Sequence, residues 1–325
     1  MTMPNEIQRD RFSRVRQATL ESAVPHQTFV RCLEKLSRFH QRSLSESKYR
    51  CAFVTGETGA GKSTLIEYYA SQYPREARLN VDFAPIVCVR APGRSTVKGL
   101  GNAILIKLGG PSQMSWSDFE ITNQVVKLIR AMDVQLLIID EVQDLLEWKR
   151  NSSLFPTLVA NFVQAIIDAT AAGVVLVGLP NIEDIADQER QLASRTGAYI
   201  RMAGLRPTNP AERADFKLLM KAIENNSLLP FYAPLETPLV ALRIQMASAG
   251  YIGEARRLVR FAINNAEDEG SALVRLQDFS AALRDTTPGS TLRVDPFKMS
   301  DADLIAWIEA DPKKAMKDAG PRWTE

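Results

Sequence analysis

The sequence predicts an α/β fold built on a parallel sheet and followed by an all-helical region. Three observations carry this. Short apolar runs alternate with amphipathic helical stretches from Cys51 onward, a glycine-rich loop follows the first run, and strand signals fade after Leu205, where helices take over. The runs are Cys51–Thr55, Ile86–Arg90, Val134–Ile139, Val174–Val177 and a weaker Tyr199–Met202. Each is short, rich in Val and Ile and nearly continuous in apolar character, as strands covered on both faces of a parallel sheet are.

The elements follow in order. Residues 1–45 read as a basic arm and a helix with Phe29, Cys32, Leu33, Leu36 and Phe39 at helical spacing, and residues 46–206 as the α/β domain. Ser117 and Glu120 form a capping box before a helix carrying Val125, Leu128, Ile129 and Met132. A helix over Leu154–Ala172 is expected to stop at Gly173 as its C′ residue. Asn209-Pro210-Ala211-Glu212 combines an N-cap, a first-turn proline and a first-turn acid, and opens a helical domain over 207–285 with helices at 210–225, 237–249, 253–267 and 276–285. Residues 286–325 read as a linker and a tail helix capped by Ser300, with Leu304, Ile305, Trp307 and Ile308; it either docks on the domain or serves a partner.

Composition narrows the chemistry. A chain of 325 residues has room for two domains, and 45% hydrophobic with 24% charged residues is ordinary for a soluble protein. No apolar run approaches a membrane span and the N-terminal residues are charged, so a cytoplasmic protein without membrane association is expected. Cys32, Cys51 and Cys88 are too widely separated for a zinc ribbon or a redox pair and read as small apolar residues. His26 and His40 are too few for a histidine-rich metal site. A net charge of +2 means that any nucleic-acid surface must be local.

Gly56-Glu57-Thr58-Gly59-Ala60-Gly61-Lys62-Ser63 matches the phosphate-loop pattern in full, directly after a strand and opening a helix that continues with Thr64. Its glycines let successive N–H groups turn inward around phosphate oxygens, and the helix adds its positive end. Lys62 is expected on the β- and γ-phosphates of ATP, and Ser63 on magnesium (Mg2+). Leu136-Leu-Ile-Ile-Asp140-Glu141 places two carboxylates at the carboxyl end of a buried strand, where open α/β sheets bind ligands. Asp140 is expected to hold magnesium, and Glu141 to orient and deprotonate the attacking water.

These motifs, with Val175–Asn181, Leu192-Ala-Ser-Arg195 and Gly253-Glu-Ala-Arg256, follow the order of an AAA+ ATPase with its helical lid. Within that superfamily the chain resembles the TniB/TnsC family of DNA-transposition regulators over roughly residues 25–285, through Leu137–Leu146, Leu176-Val-Gly-Leu-Pro180, Gln191–Arg195 and Gly250–Leu258. The resemblance implies a five-stranded parallel sheet plus a small all-helical lid domain, with ATP between adjoining subunits of a homo-oligomeric ring or helical filament. It makes Arg195 the arginine finger, a role Arg190 could take instead, and Arg256 the lid's sensor arginine, unless Arg256 and Arg257 merely decorate a helix. The water-polarising position after the fourth strand departs from the common pattern, and Asn181 is the nearest candidate. DNA contacts are expected after the second strand, at Arg94, Ser95, Thr96 and Lys98, where cations and hydroxyls gather at a helix start. The partners implied are double-stranded DNA bound without sequence preference, a transposase and a TniQ-like target-selection protein, with disassembly on ATP hydrolysis. Two other readings remain: another AAA+ ATPase, secretion-associated or helicase-loader-like, and a nucleotide-state switch that binds protein through the tail helix.

Overall fold

The computed structural model describes residues 26–46, 48–77, 82–93, 96–112, 115–147, 155–227, 229–286, 294–310 and 314–315. The N-terminal arm, Arg94, Ser95, Leu154 and most of the expected 286–293 linker lie outside these residues. The chain divides into two compact units, one formed by Phe29–Glu57 with Lys62–Met202 and the other centred on Ala203–Glu325.

The first unit begins with α1 (Gln27–Ser45), β1 (Cys51–Thr55), α2 (Lys62–Ser71), β2 (Ile86–Arg90), α3 (Val97–Lys107) and α4 (Asp118–Ala131). It continues with β3 (Leu136–Asp140), α5 (Gln143–Glu147), α6 (Phe155–Ala169) and β4 (Gly173–Gly178). A 3-10 turn (Pro180–Glu183), α7 (Asp184–Gln188), α8 (Arg190–Arg195) and β5 (Thr196–Arg201) complete it. The five strands form one parallel sheet in the order β2-β3-β4-β1-β5. Every residue of β1 and β4 is buried, whereas edge strand β5 alternates between exposed and half-buried or buried positions, with Ile200 alone fully inside. The two fully buried strands lie inside the sheet, while β5, at one edge, exposes alternate residues and gave the weakest sequence signal; β2, at the other edge, keeps a continuous apolar run.

Helix packing follows the predicted stripes. Phe29, Cys32, Leu36 and Phe39 of α1 are buried, while Leu33 is half-buried. The capping box closes both ways, with Glu120 N–H donating to Ser117 Oγ at 3.3 Å and Ser117 N–H to Glu120 Oε2 at 2.7 Å. Cys51 is fully buried, and burial pushes its thiol up to about 12, as expected of a packing cysteine. One expectation is corrected. The helix before β4 ends at Ala169, and Gly173 is the first residue of β4, paired with Leu136. A glycine stands there for room: a Cβ would lie 2.9 Å from Ser43 Oγ and 3.1 Å from Leu136 Cδ1.

The second unit contains α9 (Pro210–Glu224), α10 (Pro238–Ala247), α11 (Ile252–Asp268), α12 (Leu276–Thr286) and α13 (Asp301–Ala310) around their own core, in which Phe216, Ile244, Ala255 and Phe279 are buried. Asn209 Oδ1 caps α9 by accepting from Ala211 N–H at 3.0 Å. Tail helix α13 docks on this unit: Leu304 is fully buried, and Trp307 and Ile308 pack, with Leu242, against the cluster of Met246 and Ala315. Arg243, itself buried, reaches Asp301 at 2.7 Å and the carbonyl of Pro296. Among the described residues, no helix is long and apolar enough to cross a membrane.

Candidate nucleotide-binding site

The site is built at the carboxyl ends of β1, β3 and β4. Register aligns Thr55 with Gly178, and Gly56 N–H donates to the Gly178 carbonyl at 3.2 Å, so the glycine-rich loop leaves the sheet beside the end of β4. Within the loop Gly59 and Gly61 have φ of +81° and +90°, the left-handed region that favours glycine. Lys62 opens α2 and turns its ammonium back onto the carbonyls of Gly56 at 2.7 Å and Glu57 at 3.0 Å. Burial lowers its pKa, while the carboxylates of Glu141, Asp140 and Glu57 oppose that shift and keep a cation at home here. Ser63, the next residue, donates from Oγ to Asp140 Oδ2 at 3.0 Å, joining the loop to the end of β3.

The end of β3 is pinned from both sides. Ala91 N–H donates to the Asp140 carbonyl at 2.8 Å, and Val142 N–H donates to the Val177 carbonyl of β4 at 3.0 Å. Between these two fixed points the chain must turn sharply, and Glu141 does so with φ of +58°. A non-glycine residue in that conformation costs about 1–2 kcal/mol, and such strain gathers at functional positions. Glu141 N–H donates to Asp140 Oδ1 at 2.9 Å. Burial raises the Asp140 carboxyl above its ordinary range, and the bonds from Ser63 and from this N–H pull it back.

Two side chains among the described residues contact the Glu141 carboxylate. Arg90, at the end of β2, approaches Oε1 at 3.9 Å with its own side chain 74% exposed, a weak and screened pair. Gln143 donates from Nε2 to Oε2 and receives the Leu179 backbone N–H on Oε1 at 3.1 Å. A second cluster braces the exit of β1: Thr55 donates to Glu183 Oε1 at 2.6 Å, and Arg201, ending β5, grips Glu183 through Nε at 3.0 Å and Nη2 at 2.5 Å. Sequence reasoning missed Gln143, Glu183 and Arg201. For Gln143 the available signal was a polar residue three places beyond a strand-terminal carboxylate.

The structure thus brings Lys62, Ser63, Asp140 and Glu141 together. It places the remaining candidates elsewhere or by other contacts. Asn181 is exposed in the 3-10 turn after β4. Arg195 ends α8 and is engaged by Asp168 in a bidentate pair at 2.6 and 3.1 Å, while Arg190 is exposed at the start of the same helix. Arg256 lies half-buried on α11, and burial lowers its pKa. Thr96 caps α3 by accepting from Gly99 N–H at 3.3 Å, and Lys98 is half-buried in the first turn.

A parallel sheet in this order, a phosphate loop leaving β1, an acid pair ending β3 and a following helical unit define an AAA+ P-loop NTPase fold. The sequence model of the family described as Bacterial TniB protein matches residues 14–199, more than half of the chain. The chain belongs to that family. No curated protein matches it. Among solved structures it is similar to Cdc6p from Pyrobaculum aerophilum, with a TM-score of 0.60 and 13% identity over 92% of this chain and 79% of that one. It is also similar to the Aeropyrum pernix ORC1 protein solved in complex with DNA, with a TM-score of 0.57 and 19% identity over 82% of this chain and 66% of that one. At these identities the likeness is one of fold.

Proposed function

We propose that this chain is an ATP-hydrolysing regulator of DNA transposition. In this reading it assembles on double-stranded DNA when ATP is bound, recruits a transposase and a target-selection protein, and comes apart on hydrolysis. The observation that carries the hydrolytic part is the convergence of Ser63 and Asp140 at 3.0 Å beside a strained Glu141. Membership of the TniB family carries the transposition context.

The loop's turned glycines and the start of α2 present backbone N–H groups to the phosphates, and Lys62 supplies a localised positive charge. The Ser63 hydroxyl and Asp140 carboxylate are hard oxygen donors side by side, a set that suits Mg2+, which when bound supplies charge neutralisation on the β- and γ-phosphates. Glu141 accepts a proton from water as the water oxygen bonds to the γ-phosphorus. The bond to the bridging oxygen breaks, releasing ADP and phosphate. Arg195, released from Asp168, supplies a cation to a neighbouring subunit's site, and Asn181 and Arg256 complete the surroundings of the triphosphate. Arg94, Ser95, Thr96 and Lys98 are assigned to DNA phosphates. Few contacts per subunit suffice when an oligomer repeats them along a duplex, so little sequence preference and a steep salt dependence follow.

The test is electron microscopy of the purified chain with duplex DNA and ATP, alongside phosphate-release kinetics. Wild type is expected to hydrolyse ATP and form rings or helical coats that disperse with turnover. Glu141→Gln is expected to keep the coats and lose hydrolysis, and Lys62→Ala to lose both. Wild type that stays monomeric and ignores DNA under every nucleotide condition would overturn the assembly reading.

A further inference from the structure

We infer that Gln143 is a positioning residue for hydrolysis, tying the attitude of the Glu141 carboxylate to the loop that follows β4. The inference rests on the hydrolytic reading of Glu141 given above.

Gln143 opens the short helix α5 and is 6% exposed. Its amide has one orientation. The Leu179 backbone N–H can only donate, so it fixes the amide oxygen on its side at 3.1 Å. The amide NH2 then faces Glu141 Oε2, an acceptor with which it bonds. Reversing the amide would set donor against donor and oxygen against carboxylate at the two ends, so the bridge is polar and directional.

The end of β4 is shaped to admit this bridge. A methyl group at Gly178 would overlap Gln143 Oε1 and press on Ile182, and glycine leaves that space open. The Gly178 carbonyl in turn accepts the Gly56 N–H of the phosphate loop at 3.2 Å. Three hydrogen bonds thus run from the phosphate loop through the end of β4 and Gln143 to the carboxylate. Arg90 reaches the other carboxylate oxygen at 3.9 Å through a mostly exposed side chain, so Gln143 is the tighter of the two constraints. With Oε2 held by Gln143, Oε1 meets only the weak Arg90 contact among the described residues. A displacement of the loop at Leu179 therefore turns Glu141 with it, and the state of the β4 end governs whether the base is aligned.

The experiment measures single-turnover ATP hydrolysis and nucleotide affinity, using a fluorescent ATP analogue, in wild type, Gln143→Leu, Gly178→Ala, Glu141→Gln and the Gln143→Leu/Glu141→Gln double variant. Circular dichroism melts confirm that each is folded. Gln143→Leu is expected to slow hydrolysis about 10- to 100-fold, the scale for a reacting group displaced by an ångström, with affinity within about threefold of wild type. Gly178→Ala, which pushes the amide aside, is expected to slow hydrolysis in the same direction. In the Glu141→Gln background, where hydrolysis is already lost, Gln143→Leu is expected to leave nucleotide affinity unchanged, whereas a general structural defect would lower it there too. Hydrolysis that needs Glu141 but proceeds at the wild-type rate in Gln143→Leu overturns this inference alone, as does a matching loss of nucleotide affinity in both backgrounds. Wild type without Glu141-dependent hydrolysis overturns the hydrolytic reading and the role of Gln143 with it.

Discussion

Substituting Glu183 by Gln tests how the phosphate loop is anchored. Glu183 follows the end of β4 by five residues, and its side chain is 16% exposed between Thr55, the last residue of β1, and Arg201, the last of β5. Glutamine keeps an acceptor for the Thr55 hydroxyl but removes the charge that Arg201 grips. Hydrogen bonds to charged groups are worth about 1.5–3 kcal/mol, and the 71% exposure of Arg201 discounts that toward the lower end, leaving a loss of about 1.5 kcal/mol. At about 2–4 °C per kcal/mol for a domain of this size, the melting temperature at pH 7 falls by roughly 3–6 °C. The Arg201 bonds and the Thr55 bond hold the Glu183 carboxyl below its ordinary value of 4.5. Above that value the unfolded and folded chains are both ionised and the cluster contributes in full. As pH falls below 4.5 the unfolded chain takes the proton first, and the contribution is gone once the folded carboxyl protonates too. Melting curves of wild type and Glu183→Gln from pH 7 to pH 3 are expected to converge at the acid end. Equal melting temperatures at pH 7, or a gap unchanged at pH 3, would refute the reasoning.

Two further outcomes follow from packing. Gly101→Ala within α3 would by helix propensity alone stabilise by about 1 kcal/mol, but its methyl overlaps Cγ2 of Ile121. Ile121 is 1% exposed and stiff at χ1, so a net loss of about 1 kcal/mol is expected in a thermal melt, and a gain would contradict the packing described. His40 is 2% exposed, accepts or donates at 2.9 Å to Tyr69, and is held by burial below its ordinary value of 6.5. The unfolded chain therefore takes the proton first, so stability is full above pH 6.5 and declines below it. His40→Gln should flatten the dependence of melting temperature on pH between 7 and 5, and an unchanged slope would remove His40 as its source.

Much of the fold was legible because its signals are local. The run Cys51–Thr55 and the loop after it specify strand, turn and helix within a dozen residues, and the Ser117–Glu120 and Asn209 caps are read from spacing alone. The acid pair Asp140–Glu141 was equally plain. What escaped depends on register between strands distant in sequence. Nothing near Gln143 shows that Leu179 will lie beside it, because that follows only once β3 and β4 pair. The same holds for Thr55, Glu183 and Arg201, which meet only because β1 and β5 end level with one another. Gly173 was read as a helix stop because a glycine after an apolar helix has that local signature, whereas its reason is the nearness of Ser43 on α1.

The buried Arg243 has a practical consequence for dissecting this molecule. Its guanidinium is 3% exposed, and its partners, Asp301 and the carbonyl of Pro296, both belong to the C-terminal segment. Cutting the chain before residue 294 would remove both of these partners together with buried Phe297 and Leu304, and would uncover the surface they pack on. A phenotype of that deletion would thus mix lost packing with the loss of any interaction the tail makes. Polar replacements at Ala302 and Ala306, both exposed on α13, sample the outer surface of the tail while leaving its moorings intact.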